Sequence, residues 1–537
     1  MGQPAAEVAG EAGTPEAPAR SWRKLGWWLW VAAYVAAGVT LFFCYRRLSG
    51  TQGVNADGAA NALQAWDMLH GNLLLRGWTV SDVSFYTTEL PEYMGVELIR
   101  GLGPDVVHVA AAFTYTLLVL LAGLLAKGRA TGREALVRVL IASGIMIAPQ
   151  LHLGASIVLL SPDHTGTEVP LLGTWLVLDR APRRWYVPLI ITVMLAWVQI
   201  ADRITLLVAI VPLALVCALR ICRGLVRREP LTSRWYEAAL AVAAVASVGA
   251  AWLAVRVIHR LGGYTVTGLN TAPAALRAIP AQLRLTADGV LVLYGAGFSD
   301  LHSGVAAAFA EVHLVGLALA ACALGLAIWR FFRLDDLVVQ VLTVAIVINL
   351  AAFAVSRLPG GLYTFRQIVA VVPLGAVLAG RLLSGRIVRL RLGPAVGVML
   401  ACYVAALGYG AAQPAVPAQD QALADWLVTR HLTTGLTGWE ANVITLDTGG
   451  RVRLLVTDFG WPGAAPDAYQ SKASWYDRRL HHAYFVVTTT GGGRDPVSYR
   501  IAVADFGRPA RVYHFGDRTI MIWDKNLLAD LGAPRSQ

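Results

Sequence analysis

Residues 25–44 read LGWWLWVAAYVAAGVTLFFC, and Arg46-Arg47 follow at once. A charge-free run of about 20 residues is the length that carries an α-helix across a bilayer core. It is too long for the apolar part of a secretion signal, and no small-residue cleavage site precedes the arginines. Thr40–Cys44 also lacks the small residues of a lipoprotein cleavage box. The stretch therefore reads as an uncleaved anchor helix, and the rest of the chain has to be interpreted as membrane protein.

Composition agrees. The chain has 537 residues, of which 56% are hydrophobic and 15% charged, and its mean hydropathy is +0.56. An ordinary soluble chain carries about a quarter charged residues. Further apolar runs lie near 106–126, 136–151, 168–179, 186–200, 204–220, 237–258, 312–330, 337–356, 366–383 and 394–412. With the anchor these make about eleven expected transmembrane helices. The short 168–179 run pairs with the apolar 153–160 run as a candidate re-entrant element, tolerated only where protein or a wet cavity covers its backbone.

The net charge of +11 is a topology signal and does not call for nucleic acid. Its basic residues cluster in alternate short loops, such as Lys127/Arg129/Arg133/Arg138, Arg180/Arg183/Arg184, Arg220–Arg234 and Arg381–Arg391. By the positive-inside rule these loops face the cytoplasm. Residues 1–20, rich in Ala, Pro, Gly and Glu, are then an expected disordered cytoplasmic tail. The membrane body spans 21–412, and its loops 46–104 and 259–311 lie outside. The abundance of Arg, Ala and Gly suggests a GC-rich bacterial genome, hence a bacterial plasma membrane. The five cysteines lie in or beside apolar runs without a CxxC pair, which implies neither a disulfide nor a zinc site.

Two hydrophilic regions interrupt the apolar pattern. In the 46–104 loop, Ala59, Leu63, Trp66, Leu69 and Leu73 recur at helical spacing with Asn61, Gln64, Asp67 and His70 between them. That pattern predicts an amphipathic helix lying in the membrane interface. Leu90–Leu102 and Ala274–Leu285 are further helical candidates. Residues 418–537 have ordinary soluble composition and predict a small extracytoplasmic α/β domain. Gln419–His431 and Pro496–Asp505 are expected helices, the second with Pro in its first turn. Asn442–Leu446 and Val452–Thr457 predict strands around an Asp447-Thr448-Gly449-Gly450 turn. Ala483–Thr488 is another strand, and Arg511–Phe515 with Thr519–Trp523 a hairpin.

Several polar residues stand where chemistry is possible. Asp57, just past the first span, can act as general base on an acceptor hydroxyl; an Asp before a helix is equally a good N-cap. Asp163 and His164 can orient an acceptor, bind a cation or shuttle a proton, or simply close a turn. Asp202 in a tight turn between spans is either an ion-pair partner or a functional carboxylate. Arg357, Tyr363 and Arg366 open a late span, where arginine can hold a phosphate bidentately or anchor the interface by snorkelling.

With these pieces in place, the chain resembles the GT-C class of membrane glycosyltransferases. It is similar in particular to bacterial relatives of the dolichyl-phosphate-mannose-protein mannosyltransferases and of the lipid A aminoarabinose transferase. Asp57 matches the acidic residue of their first outer loop, often Asp-Glu; here Gly58 follows, and Glu89 or Glu92 is the candidate for the second carboxylate. Pro162–Thr167, Asp202 and Tyr363–Arg366 resemble further motifs of that class. The resemblance implies a GT-C-like fold and an inverting transfer of sugar from a polyprenyl-phosphate donor to an extracytoplasmic glycan, lipid or protein acceptor. It implies Asp57 as base and Arg366, with Arg357 and Tyr363, at the donor phosphate. Asp163, His164, Glu89, Glu92 and Asp202 would meet acceptor or sugar. No cofactor is expected: the class often needs no metal, and the sequence offers no firm site for a divalent cation. A flippase of lipid-linked sugars and a non-catalytic envelope scaffold are the rival readings.

Overall fold

A computed structural model describes residues 19–160, 164–268, 272–298, 303–417, 420–460, 463–489 and 497–533. Eight of its helices are long and apolar enough to cross a membrane: Trp28–Ser49, Asp105–Lys127, Leu206–Val226, Thr232–Arg260, Gly304–Trp329, Leu337–Val355, Val371–Arg389 and Gly393–Ala411. The chain is a multi-pass membrane protein. Three more expected spans are helical but short: Gly132–Met146, Thr165–Arg180 and Tyr186–Ala201 have 15, 16 and 16 residues. At 1.5 Å per residue each is about 24 Å long, less than the ~30 Å hydrocarbon core. The expected tail of residues 1–20 falls almost wholly outside the described residues.

A broken element lies between the first two of these short helices in the chain. After Gly132–Met146 the chain turns through His152, whose φ is 61°, into the seven-residue helix Leu153–Leu159, every residue of which is buried. Irregular backbone at this depth is stable because neighbouring helices cover it. A second irregularity follows Asp202, where Leu206–Ile210 winds as a π-turn before the helix Val211–Val226. Insertions of this kind aim side chains that a regular helix would misplace.

The C-terminal domain holds a six-stranded sheet in the order Ala465–Pro466, Arg453–Asp458, Thr434–Thr437, Phe485–Val487, Arg518–Ile522, Arg511–Phe515. The three central strands are parallel, with Leu436 opposite Leu455 and Val486; the outer pairings are antiparallel. The expected strand at Asn442–Leu446 is instead part of a helix, Ala441–Asp447. The reason is topological. Thr434–Thr437 and Arg453–Asp458 are parallel, so the chain between them must cross over, usually as a helix. That helix is buried on all sides, so its apolar residues show no helical stripe and read as a strand. The helix expected from Pro496, a residue outside the described set, begins at Tyr499 with Ser498 as its cap.

The 46–104 loop also differs from its expectation. The helix Ala56–Leu69 packs against the helices Glu89–Arg100, Asp105–Lys127 and Ala441–Asp447. Its polar residues Asn61 and Gln64 are buried, whereas Leu73 beyond its end is 58% exposed. The C-terminal domain covers the face that the sequence pattern assigns to water. Ala59, Ala60, Ala62 and Ala65, all fully buried, let the helices approach closely. A small three-stranded sheet joins the regions: Trp78–Val80 pairs in parallel with Thr265–Val266 and antiparallel with Ser471–Lys472.

Candidate functional site

Asp57 occupies the first turn of the Ala56–Leu69 helix. Asn55, not Asp57, is the cap: its Oδ1 accepts the Gly58 N–H at 2.8 Å. The Asp57 side chain is thereby free for other partners. Its Oδ2 accepts from Arg366 Nη1 at 2.9 Å, and its Oδ1 accepts from Gln470 Nε2 at 2.6 Å. Gly58 sits where a larger residue would have to displace its neighbours. A Cβ at this position would stand 2.9 Å from Val107 Cγ1 and 3.0 Å from the Leu160 carbonyl oxygen. The close approach that seats Asp57 thus excludes the Asp-Glu pair of the resembled enzymes.

Arg366 comes from the 3-10 stretch Leu362–Ile368, between the spans Leu337–Val355 and Val371–Arg389. Phe365 before it is fully buried and rests on Gly289, where a Cβ would come within 2.6 Å of the ring. Anchoring one side chain of a tight helix fixes the direction of the next. Of its two companions, Tyr363 is 69% exposed. Arg357 is exposed and donates from Nε to the Pro273 carbonyl at 3.3 Å. Neither lines the cavity beside Asp57.

That cavity is small and lined by Asp57, Ser81, Asp82, Val83, Phe85, His164, Arg366 and Tyr469. It shares Asp82, Val83 and His164 with a larger cavity of about 510 Å³. The larger cavity has a mostly apolar wall that includes Ile204, Leu206, Leu207, Phe353 and Leu358, with Arg203, Asn349 and Gln367 as polar points. An apolar cavity with a few convergent polar groups is the general form of a small-molecule site.

His164 stands between the two spaces. It is buried, sits in the left-handed region at φ 46°, and donates from Nδ1 to Asp202 Oδ2 at 2.6 Å. The Thr167 hydroxyl donates to the same oxygen at 2.7 Å, and the Ile204 N–H to Asp202 Oδ1 at 3.0 Å. Burial alone would lower the imidazole pKa, but the charge and hydrogen bond of Asp202 outweigh it and raise it. Burial likewise pushes Asp202 up, and His164 with its other donors brings it below the usual carboxylate range. Each group of the pair thus favours the charged form of the other. Asp163 lies outside the described residues.

Glu89 and Glu92 are placed elsewhere. Both lie on the helix Glu89–Arg100 and neither lines the two cavities. Glu89 packs against Gly166 and accepts from the Thr88 hydroxyl; burial, with Asp202 and Glu92 nearby, raises its pKa well above the ordinary value. Glu92 accepts from the Thr114 hydroxyl at 2.6 Å, and burial pushes it up to about 8. Glu97, also buried, is pushed up to about 9. In all three, burial favours the neutral carboxyl over the carboxylate. The carboxylate that does share a cavity with Asp57 is Asp82, which periodicity and motif gave no reason to single out. Gln470 and Tyr469 were equally invisible, since they arrive from a domain 413 positions away. Among the described residues no group of three or more His, Cys, Asp or Glu is arranged to hold a metal ion.

No protein-family model matches the chain, and no curated protein matches it in sequence. Its three-dimensional structure is similar to ArnT from Cupriavidus metallidurans in the apo state, with a TM-score of 0.52 at 15% identity. The match covers 94% of this chain and 99% of that one. The same ArnT bound to undecaprenyl phosphate is similar with a TM-score of 0.53 at 13% identity, again over 94% and 99% of the two chains. At such identities the likeness is one of fold, and it extends nearly end to end. The architecture is the GT-C-like membrane glycosyltransferase fold that the sequence motifs resemble, a multi-pass helical body with a C-terminal sheet domain.

Proposed function

We propose that the protein transfers a sugar from a polyprenyl-phosphate donor to an acceptor hydroxyl at the membrane face that carries the C-terminal domain, with inversion at the anomeric carbon. The observation that carries this reading is the Asp57–Arg366 ion pair at the wall of a cavity that continues into a larger apolar one. A carboxylate and a guanidinium in contact are the two groups such a transfer needs. ArnT, whose fold this chain shares, is known with undecaprenyl phosphate bound, which supports a polyprenyl-phosphate donor here.

In the proposed reaction the donor phosphate takes the Arg366 guanidinium and releases it from Asp57. The Asp57 carboxylate then accepts the proton of the acceptor hydroxyl. The acceptor oxygen forms its bond to the anomeric carbon as the bond from that carbon to the phosphate oxygen breaks. The pair of electrons leaves with the phosphate, whose charge Arg366 stabilises. The His164–Asp202 pair presents an imidazole held by a carboxylate at the junction of the cavities, and Asp82 faces the sugar hydroxyls. The apolar wall formed by Leu206, Leu207 and Phe353 takes the first isoprene units. The positive-inside reading puts this face outside the cytoplasm of a bacterial plasma membrane, where envelope glycan, lipid or protein supplies the acceptor.

The test is transfer of labelled sugar from a panel of polyprenyl-phosphate sugars, in membranes containing wild-type protein or Asp57→Asn and endogenous envelope acceptors. Incorporation by wild type and its loss in a folded Asp57→Asn is the expected result. Equal incorporation by both removes Asp57 as the base.

A further inference from the structure

The Asp57 carboxylate has two side-chain partners, and the C-terminal domain supplies one of them. We propose that Gln470 is a positioning residue for Asp57, so that the C-terminal domain is a working part of the active site. The inference rests on Asp57 being the base.

Three features separate Gln470 from an ordinary packing residue. Its backbone is in the left-handed region at φ 51°, a conformation that side-chain-bearing residues adopt at a cost. Its side chain is 1% exposed. Its Oε1 is buried without a hydrogen-bond partner among the described residues, although a buried polar atom ordinarily has one. An apolar residue of the same length would remove the second and third costs. What the amide gives in return is the 2.6 Å bond from Nε2 to Asp57 Oδ1.

The loop that carries Gln470 is fastened on both sides. Asn442 Nδ2 donates to the Gln470 carbonyl at 3.1 Å. Tyr469, which lines the Asp57 cavity, packs its ring 5.1 Å from that of Trp439. The next two residues, Ser471 and Lys472, form the strand that pairs with Trp78–Thr79. Lys472 Nζ lies 2.9 Å from Asp67 Oδ2, which also accepts from Trp78 Nε1 at 2.7 Å. Asp67 is on the same helix as Asp57. The domain therefore grips the helix that bears the base, and it does so at two carboxylates.

The chemistry follows from the proposed exchange at Arg366. When a phosphate draws Arg366 away, the carboxylate loses its cationic partner and would be free to rotate. The bond to Gln470 holds Oδ1, leaving Oδ2 as the oxygen that receives the acceptor proton. An amide suits this task because it donates without competing for the proton.

The experiment uses the full-length protein in detergent and in membranes. Gln470→Met keeps the side-chain length and removes the donor. In a thermal double-mutant cycle with Asp57→Ala, Gln470→Met lowers the unfolding midpoint in the wild-type background and leaves it unchanged or raised in the Asp57→Ala background. Equal shifts in both backgrounds overturn the contact. With the donor that serves wild type, Gln470→Met lowers kcat by about 10- to 100-fold, the scale of a misplaced reacting group, and leaves KM for the donor within about 2-fold. An unchanged kcat overturns the role of Gln470 alone if Asp57→Asn is inactive. If Asp57→Asn retains transfer, the base assignment falls and the thermal cycle still decides the contact. Should no donor in the panel serve, the thermal cycle alone decides.

Discussion

Gly58 offers the sharpest test of how the site is built. Replacing it with Ala places a Cβ 2.9 Å from Val107 Cγ1, 3.0 Å from the Leu160 carbonyl and 3.1 Å from Asn55 Oδ1. Val107 can turn away, but the carbonyl belongs to the backbone and Asn55 is the helix cap. Overpacking of this kind costs about 1–3 kcal/mol, and disturbing the cap adds about 1 kcal/mol. Against that, Ala in a helix is better than Gly by about 1 kcal/mol. The balance is a loss of roughly 1–3 kcal/mol. Gly58→Glu, which restores the Asp-Glu pair of the resembled enzymes, should be worse and should abolish transfer. Gly95→Ala is the control. Gly95 is exposed on the helix Glu89–Arg100, and a Cβ there meets nothing within 4 Å, so the change should be neutral or slightly stabilising. Unfolding of detergent-solubilised protein, followed by tryptophan fluorescence, measures all three. If Gly58→Ala is as stable as Gly95→Ala, the close packing that seats Asp57 is wrong.

Arg366→Ala should lower transfer by about 10²- to 10³-fold, the cost of losing one group that stabilises developing charge. Arg357→Ala and Tyr363→Phe, whose side chains lie outside the Asp57 cavity, should change it by less than about 3-fold; a comparable loss in Arg357→Ala would move the phosphate site. Stability should fall as pH rises. Glu92 and Glu97 have folded pKa values raised from 4.5 to about 8 and about 9. Their contribution is complete below pH 4.5 and is lost as pH climbs through those values, at about 1.4 kcal/mol per pH unit for each group. The double variant Glu92→Gln/Glu97→Gln should flatten the decline of the unfolding midpoint between pH 5 and 9, and an unchanged slope would refute the assignment.

The membrane body was legible because a charge-free run of about 20 apolar residues matches the thickness of a bilayer core and little else. The site was legible in part. Asp57 and Arg366 were each singled out by their place beside a span, and the structure puts them 2.9 Å apart although 309 positions separate them. Tyr363 and Arg357 share that stretch of sequence with Arg366, but Tyr363 is left exposed and Arg357, which precedes the 3-10 turn, is tied to the Pro273 carbonyl. Glu89 and Glu92 were candidates for a second carboxylate on their place in the loop, but the structure sets them on a helix away from both cavities, because periodicity reports what a helix carries and not what covers it. The Ala56–Leu69 helix misled for the same reason: its polar residues meet the C-terminal domain, a partner no local pattern announces. Gln470 shows the limit most plainly, since its environment exists only after two distant regions have met.

The small sheet formed by Trp78–Val80, Thr265–Val266 and Ser471–Lys472 has a consequence for biosynthesis. Trp78–Val80 leaves the ribosome long before Ser471, which follows about 390 residues later, or roughly 20–80 s at ordinary elongation rates. Through that interval one edge of the strand has no mate, Asp67 has no lysine, and Asp57 has no amide. A polypeptide arrested anywhere before Gln470 lacks the amide that holds Asp57 Oδ1. The partner that holds Asp57 Oδ1 is thus supplied by chain made 413 positions after it, so this contact is among those that form late.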